Sequence, residues 1–159
     1  MQCRRVAISG SVASFADEVP PSGQPLILLS ALERNIINVA SDPRCSLAVH
    51  QLPAAGSNSG SCAPSAEYEP MATERVTLLG TLVPVPQPEL DRAQKAYLAL
   101  HPQASEWIGF SDFILYRFTV VDVYWVGGFG GAHYIGWVDP GTYLSHNLTT
   151  MTHHYDSPL

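Results

Sequence analysis

The segment from Ser111 to Val126, SDFILYRFTVVDVYWV, is a long β-branched and aromatic run that reads as a strand. Gly127-Gly-Phe-Gly-Gly131 then turns the chain, and Ala132 to Val138 returns as a further strand. The same signature recurs upstream. Residues 6–16, VAISGSVASFA, are small and β-branched. Pro25 to Leu29 is an apolar run too brief for a helix, and Arg75 to Val83 ends at the prolines 84, 86 and 88. From Cys45 to Gln51 the chain alternates, with Cys45, Leu47 and Val49 on one face and Ser46, Ala48 and His50 on the other. The resulting order is β, β, α, β, long loop, β, α, β, β. Strands dominate and the helices lack a βαβ rhythm, so the expected class is mainly β (α+β), an antiparallel barrel with two or more helices packed outside.

Both helices carry boundary signals. Ser30-Ala-Leu-Glu33 fits the S-x-x-E capping box, Leu32, Ile36 and Val39 follow at helical spacing, and Asp42-Pro43 stops the run. The second helix, 88–100, places Leu90, Ala93, Tyr97 and Leu100 on one stripe, with Asp91, Arg92, Gln94 and Lys95 opposite. His101-Pro102 ends it, because the residue before proline resists helical geometry. Asp17 to Gln24, with Pro20, Pro21 and Gly23, is a turn-rich connection. Residues 52–74 are rich in Ala, Gly, Ser and Pro and read as a long flexible insert. From Asp139 onward the chain reads as a tail that frays.

The 159 residues suit one domain, and 46% apolar against 14% charged residues argues for a packed core with much covered surface. A net charge of −6 argues against a phosphate-backbone binder, so no nucleic-acid partner is expected. Lys95 is the only lysine, and it falls on a solvated helix face. No stretch approaches the apolar length of a membrane helix, and Met1-Gln-Cys-Arg-Arg lacks a signal peptide's apolar core. Three distant cysteines, Cys3, Cys45 and Cys62, form no CxxC pair. These features set the expectation of an intracellular protein, in the cytoplasm or an organelle interior, without membrane contact. On that expectation the glycosylation sequon at Asn147 carries no weight.

Few residues carry chemistry. A helix opening at Ser30 would aim N–H groups outward at an anion, with Arg34 in its first turn and Asn35 beside it. The plainer alternative is an ordinary capped helix with an exposed arginine. Arg75 shares a strand face with Thr77 and suits either a phosphate or a neighbouring acid. The glycine turn lacks the GxGxxG order, so a dinucleotide fingerprint is excluded there. Tyr124, Trp125, Tyr134 and Trp137 flank it and suit either a planar ligand or the core. The histidines make no metal pattern. One axial nitrogen nevertheless suffices for haem iron, and His146, His153 or His154 in the tail could give it.

Several segments together resemble the pyridoxamine-phosphate-oxidase-like, FMN-binding split barrels. PLILLSALERNIINVASDPRCSLAVHQ carries the DPR-x-SL signature of that family; RVTLLGTLVPV, YLALHPQAS and FSDFILYRFTVVDVYWVGGFGGA follow in the order of its HugZ-type haem-degrading branch. CREG-type glycoproteins share the domain more distantly. The resemblance runs from Gly10 to Val138 and implies an antiparallel split barrel over 1–145, interrupted by the 52–74 insert and followed by a tail, 146–159. It also implies a homodimer with its ligand between subunits. FMN is the cofactor it implies first, with Ser30, Arg34, Asn35, Asn38 and Arg75 towards the phosphate and Trp125 beside the ring. The expected function is then a flavin-dependent oxidoreductase-like protein. Haem binding or degradation of HugZ type is the alternative, and a CREG-like binding module, its cleft blocked by the 52–74 insert, a further one. Three departures weigh on the first reading. The family's His-Thr pair is replaced by Arg34-Asn35 or Asn35-Ile36, its leading helix and strand look missing or displaced, and no Arg-x-His pattern stands near Gly131 to His133.

Overall fold

The computed structural model describes residues 10–50, 73–128 and 134–145. Six strands and three α-helices occur in it: β1 (Phe15–Ala16), β2 (Leu26–Ser30), α1 (Arg34–Val39), β3 (Arg44–His50), β4 (Arg75–Pro84), α2 (Gln87–Leu100), β5 (Phe113–Val126), β6 (Ile135–Val138) and α3 (Pro140–Ser145). A single 3-10 turn, Pro102–Glu106, follows α2. The strands form one antiparallel sheet in the order β1-β2-β5-β4-β3, with β6 added to β5.

β5 organises everything else. Its first residues pair with β2, Phe113 opposite Ser30 and Arg117 opposite Leu26. Its last residues pair with β6, Val123 opposite Val138 and Val126 opposite Ile135. β4 runs along the other edge from Tyr116 to Val126. β2 and β6 therefore share one edge of β5, and neither of them pairs with residues 119–122. That gap splits the barrel wall. A bulge between Leu79 and Gly80 shifts the β4–β5 register by one residue, so that Val121 has no partner in β4. Gly80 is required there, because a Cβ would run into the Thr119 carbonyl oxygen and the Phe118 ring.

The sheet separates two cores. One face gathers Ile27, Leu29, Leu78, Leu82, Phe118, Val120 and Val123 under Ile36 of α1. The opposite face of β2 and early β5 packs Leu26, Leu28 and Leu115 on Ala93 and Tyr97 of α2 and on Ala104. α2 is held from outside as well. Arg117 of β5 donates to Glu18 and, at 2.7 Å, to Glu89 of α2, while Arg92 of α2 reaches Glu18 at 3.3 Å.

Three expectations change. The first strand, expected over 6–16, is reduced within the described residues to Phe15 and Ala16; Gly10 to Ser14 form none. The first helix starts at Arg34, not Ser30, because Ser30 is the last residue of β2. Half of the expected box forms, with the Ser30 N–H reaching the Glu33 carboxylate at 3.3 Å, yet it closes a turn ahead of the helix. The Ser30 hydroxyl donates to Asp112 at 2.8 Å and accepts the Leu32 N–H at 3.1 Å. The supposed fraying tail begins with a helix, α3. Asp139 caps it by accepting the Thr142 N–H at 2.8 Å, and Pro140 takes the first position, where its missing N–H costs nothing. No helix among the described residues is long and apolar enough to cross a membrane. Most of the 52–74 insert, the centre of the glycine turn, Cys3, Cys62 and the tail from His146 lie outside the described residues.

Candidate functional site

The split in the barrel wall opens into a cleft of about 630 Å³. Pro25, just before β2, and Val138, at the end of β6, stand on either side of the gap. Val123 and Trp125 of β5 and Val76 of β4 form the back wall, Phe15 and Ala16 one side, and Tyr143 and Thr142 of α3 the other. This volume is ample for an organic cofactor, and the wall is hydrocarbon and aromatic with few polar groups, the usual make-up of a small-molecule site.

The lip of the cleft is the 17–24 turn, and Asp17 builds it. One carboxylate oxygen accepts the Glu18 N–H at 2.7 Å, the Ser22 N–H at 2.9 Å and the Ser22 hydroxyl at 3.0 Å. The other accepts the Gly23 N–H at 2.9 Å. Gly23 has φ +68°, which favours glycine, and a Cβ there would press on the Leu144 and Tyr143 side chains. The turn and α3 therefore close on each other over the cleft. Burial, and after it the negative charge of Asp17, push the Tyr143 phenol above its ordinary value. Tyr143 thus keeps its proton and presents an uncharged hydroxyl. Behind the lip, Glu18 is fastened to Arg117 and Arg92, which fixes the turn to the sheet and to α2.

A second, smaller cavity of about 340 Å³ lies under α1. Ile27, Leu29, Leu82 and Phe118 make its floor, and Ser11, Asn35, Asn38, Asp42, Arg44 and Ser46 its rim. The rim groups engage one another. Asn35 donates to the Ser11 hydroxyl at 2.7 Å, and Arg44 binds Asp42 at 2.6 Å. The Arg44 guanidinium, bonded to that carboxylate, holds the Asp42 carboxyl at about 2.

The residues assigned by resemblance fall into two groups. Ser30, Arg34, Asn35 and Asn38 cluster at the end of β2 and in α1, where Asn35 and Asn38 line the smaller cavity and Arg34 stands exposed. Arg75 and Trp125 lie at the far end of β5: Arg75 pairs with Val126, and Trp125 with Val76 and Gly136. Ser30 faces the first residue of β5 and Arg75 faces the last, so roughly 40 Å of strand separates them. Even a right-angle bend halfway would leave about 30 Å between strand ends. Within one protomer, Arg75 and Ser30 do not meet one phosphate. Trp125 alone of the assigned residues lines the larger cleft. Phe15, Asp17, Thr142 and Tyr143 were not singled out by the sequence; the Asp139-Pro140 cap was a readable sign of α3, and hence of the last two. His146, His153 and His154 lie outside the described residues.

As a seat for haem, the cleft suits the flat apolar body through Trp125, Phe15 and the valines, and no histidine is among its described lining residues. His101 is engaged elsewhere, its Nε2 lying 2.8 Å from the Phe15 carbonyl oxygen, and His50 ends β3 on the outer face. An FMN phosphate needs cations and N–H donors together, and the cleft wall has no arginine or lysine among its described residues.

Comparison with known proteins places these features in context. Residues 3–145 match the family model described as CREG, beta-barrel. The chloroplastic, non-standard heme oxygenase HOZ of Arabidopsis thaliana is 30% identical over 120 residues, covering 76% of this chain and 32% of that protein. A haem-binding protein from Mycobacterium smegmatis superposes with a TM-score of 0.65 at 30% identity, over 83% of this chain and 47% of that one. A protein of unknown function from Agrobacterium tumefaciens shares the fold, with a TM-score of 0.58 at 22% identity over 81% of this chain and 48% of its own. The chain thus spans about a third of the plant relative and just under half of either bacterial structure.

Proposed function

Because the chain belongs to the CREG β-barrel family, we propose that it is a haem-binding split barrel of HugZ type that takes the tetrapyrrole in the cleft between β2 and β6. The observation that carries this reading is the cleft itself, which is large, aromatic and nearly free of charge. The plant and mycobacterial relatives, both named for haem, support it. They favour haem over FMN, reversing the order in which the sequence ranked the two.

Bound haem would supply redox-active iron. This chain's residues would do the rest. Trp125 and Phe15 would pack on the flat apolar body of the haem, Val76, Val123 and Val138 would exclude water, and Tyr143 would offer a protonated hydroxyl. A tail histidine would supply the nitrogen that holds the iron. His146 follows directly on Ser145, the last residue of α3, and α3 gives Thr142 and Tyr143 to the cleft wall. His153 and His154 stand further along the same tail.

Homodimerisation belongs to the same proposal. The outer face of β3, β4, β5 and β6 is covered by no described element, although Leu79, Val121, Tyr124, Ile135 and Trp137 lie on it, Trp137 61% exposed. Tyr124 and Trp137 meet edge to face with centroids 5.1 Å apart. An apolar sheet face of this kind needs a partner, and a second copy fits the low charge content.

The test is the absorption spectrum of the freshly purified protein, followed by titration with haemin. A Soret band that shifts on binding and is lost in His146→Ala is the expected result. Flavin bands in the purified protein, or no change with haemin, would overturn it. Sedimentation at micromolar concentration should show a dimer.

A further inference from the structure

We propose, on the haem reading above, that the cleft selects among tetrapyrroles by charge, admitting the hydrocarbon edge of a porphyrin whose carboxylates lie along one edge and rejecting one with carboxylates on every side. The charges around the cleft carry this. Asp17 lines it, and all four donors to its carboxylate are backbone N–H groups or a hydroxyl. Such donors solvate the charge without neutralising it. Asp139 stands next to the lining residue Val138 and is likewise met by uncharged donors, the Thr142 N–H and hydroxyl.

No cation answers these acids from the described lining. Arg117 and Arg92 are drawn to Glu18 and Glu89 behind the lip, and Arg44 is bound to Asp42 at the other cavity. Arg75 donates to the Thr73 carbonyl at the start of β4. The hydroxyl of Tyr143 is a donor without charge. A porphyrin carboxylate pushed into the cleft would lose its hydration among valines and aromatic rings and would face Asp17. Turned the other way, with its vinyl and methyl edge inward, a dicarboxylate haem keeps both acids in water.

The experiment titrates the full chain with haemin and with iron coproporphyrin, a tetracarboxylate of the same ring, and reads the Soret band and tryptophan quenching. The tetracarboxylate should bind at least ~10-fold more weakly at low ionic strength, and added salt should shrink the gap, because screening weakens repulsion between partly exposed charges. Thr142→Lys, at an exposed position of α3 on the cleft wall, should cut the gap to about threefold by setting a cation against the extra carboxylates. Equal affinity for the two porphyrins overturns the inference. A gap indifferent to both salt and Thr142→Lys also overturns it, since that would be rejection by size. Failure of both porphyrins to bind overturns the haem reading and this inference with it.

Discussion

The two cavities differ in how they arise. The one under α1 is a dip in a finished core, floored by Ile27, Leu29, Leu82 and Phe118, with rim groups that bind one another. The cleft is a gap in the wall, present because β2 stops pairing at Arg117 of β5 and β6 starts only at Val123. Chemically suggestive residues gather at the first, whereas the space for a ligand of cofactor size lies at the second. Polar groups clustered in sequence mark where a chain closes its own turns and helix ends. Ligand space comes from where long-range pairing fails, and no local motif records that.

The contrast can be broken most forcefully at the shared core. Phe118 is 1% exposed and floors the smaller cavity. Phe118→Ala should cost about 3–5 kcal/mol, read from urea unfolding; a loss under ~1 kcal/mol would mean that the floor is not packed core.

At the cleft the expected effect is on binding. Trp125→Ala should weaken haemin about tenfold, or ~1.4 kcal/mol, in the Soret titration, with a smaller change in stability. Unaltered affinity would move the ligand away from the back wall.

The rim of the smaller cavity makes a prediction in acid. With the Asp42 carboxyl held at about 2, its pairing with Arg44 favours the folded state above the ordinary carboxylate range, and that contribution is lost progressively as pH falls from that range through about 2. A carboxyl NMR titration with its midpoint near 4 would show that the pair does not form.

Arg34→Ala carries the smallest expected effect. Arg34 is exposed and lines neither cavity, so haemin affinity should stay within about twofold and stability within ~0.5 kcal/mol. A loss of FMN affinity of ten- to hundredfold, about 1.5–3 kcal/mol, in the same variant would restore the flavin site at α1.

Much of the fold was legible because it is written in short-range pattern. The alternation of Cys45, Leu47 and Val49 gave the inward face of β3, and the stripe of Ala93 and Tyr97 gave the buried side of α2. The proline cluster after Val83 marked the end of β4 to within a residue. Ser30 misled because a capping box and a strand-ending turn use the same residues; only the pairing of Ser30 with Phe113, far along the chain, decides between them. The site was legible at Trp125 alone. Asp17 and Tyr143 become neighbours only when α3 settles against Gly23, a contact across more than a hundred residues.

The pairing of β2 with the start of β5 also bears on how the chain is made. Leu26 to Leu29, all buried in the finished protein, find their partners more than eighty positions later, at Ile114 to Arg117. At a synthesis rate of roughly 5–20 residues per second, that apolar strand leaves the ribosome on the order of ten seconds before β5 can pair with it, and until then only the two residues of β1 can do so. α2, which covers the same face, also emerges late. The nascent chain therefore carries an apolar strand without its main partner for that interval, and residues 26–29 are open to contact with other chains until β5 arrives.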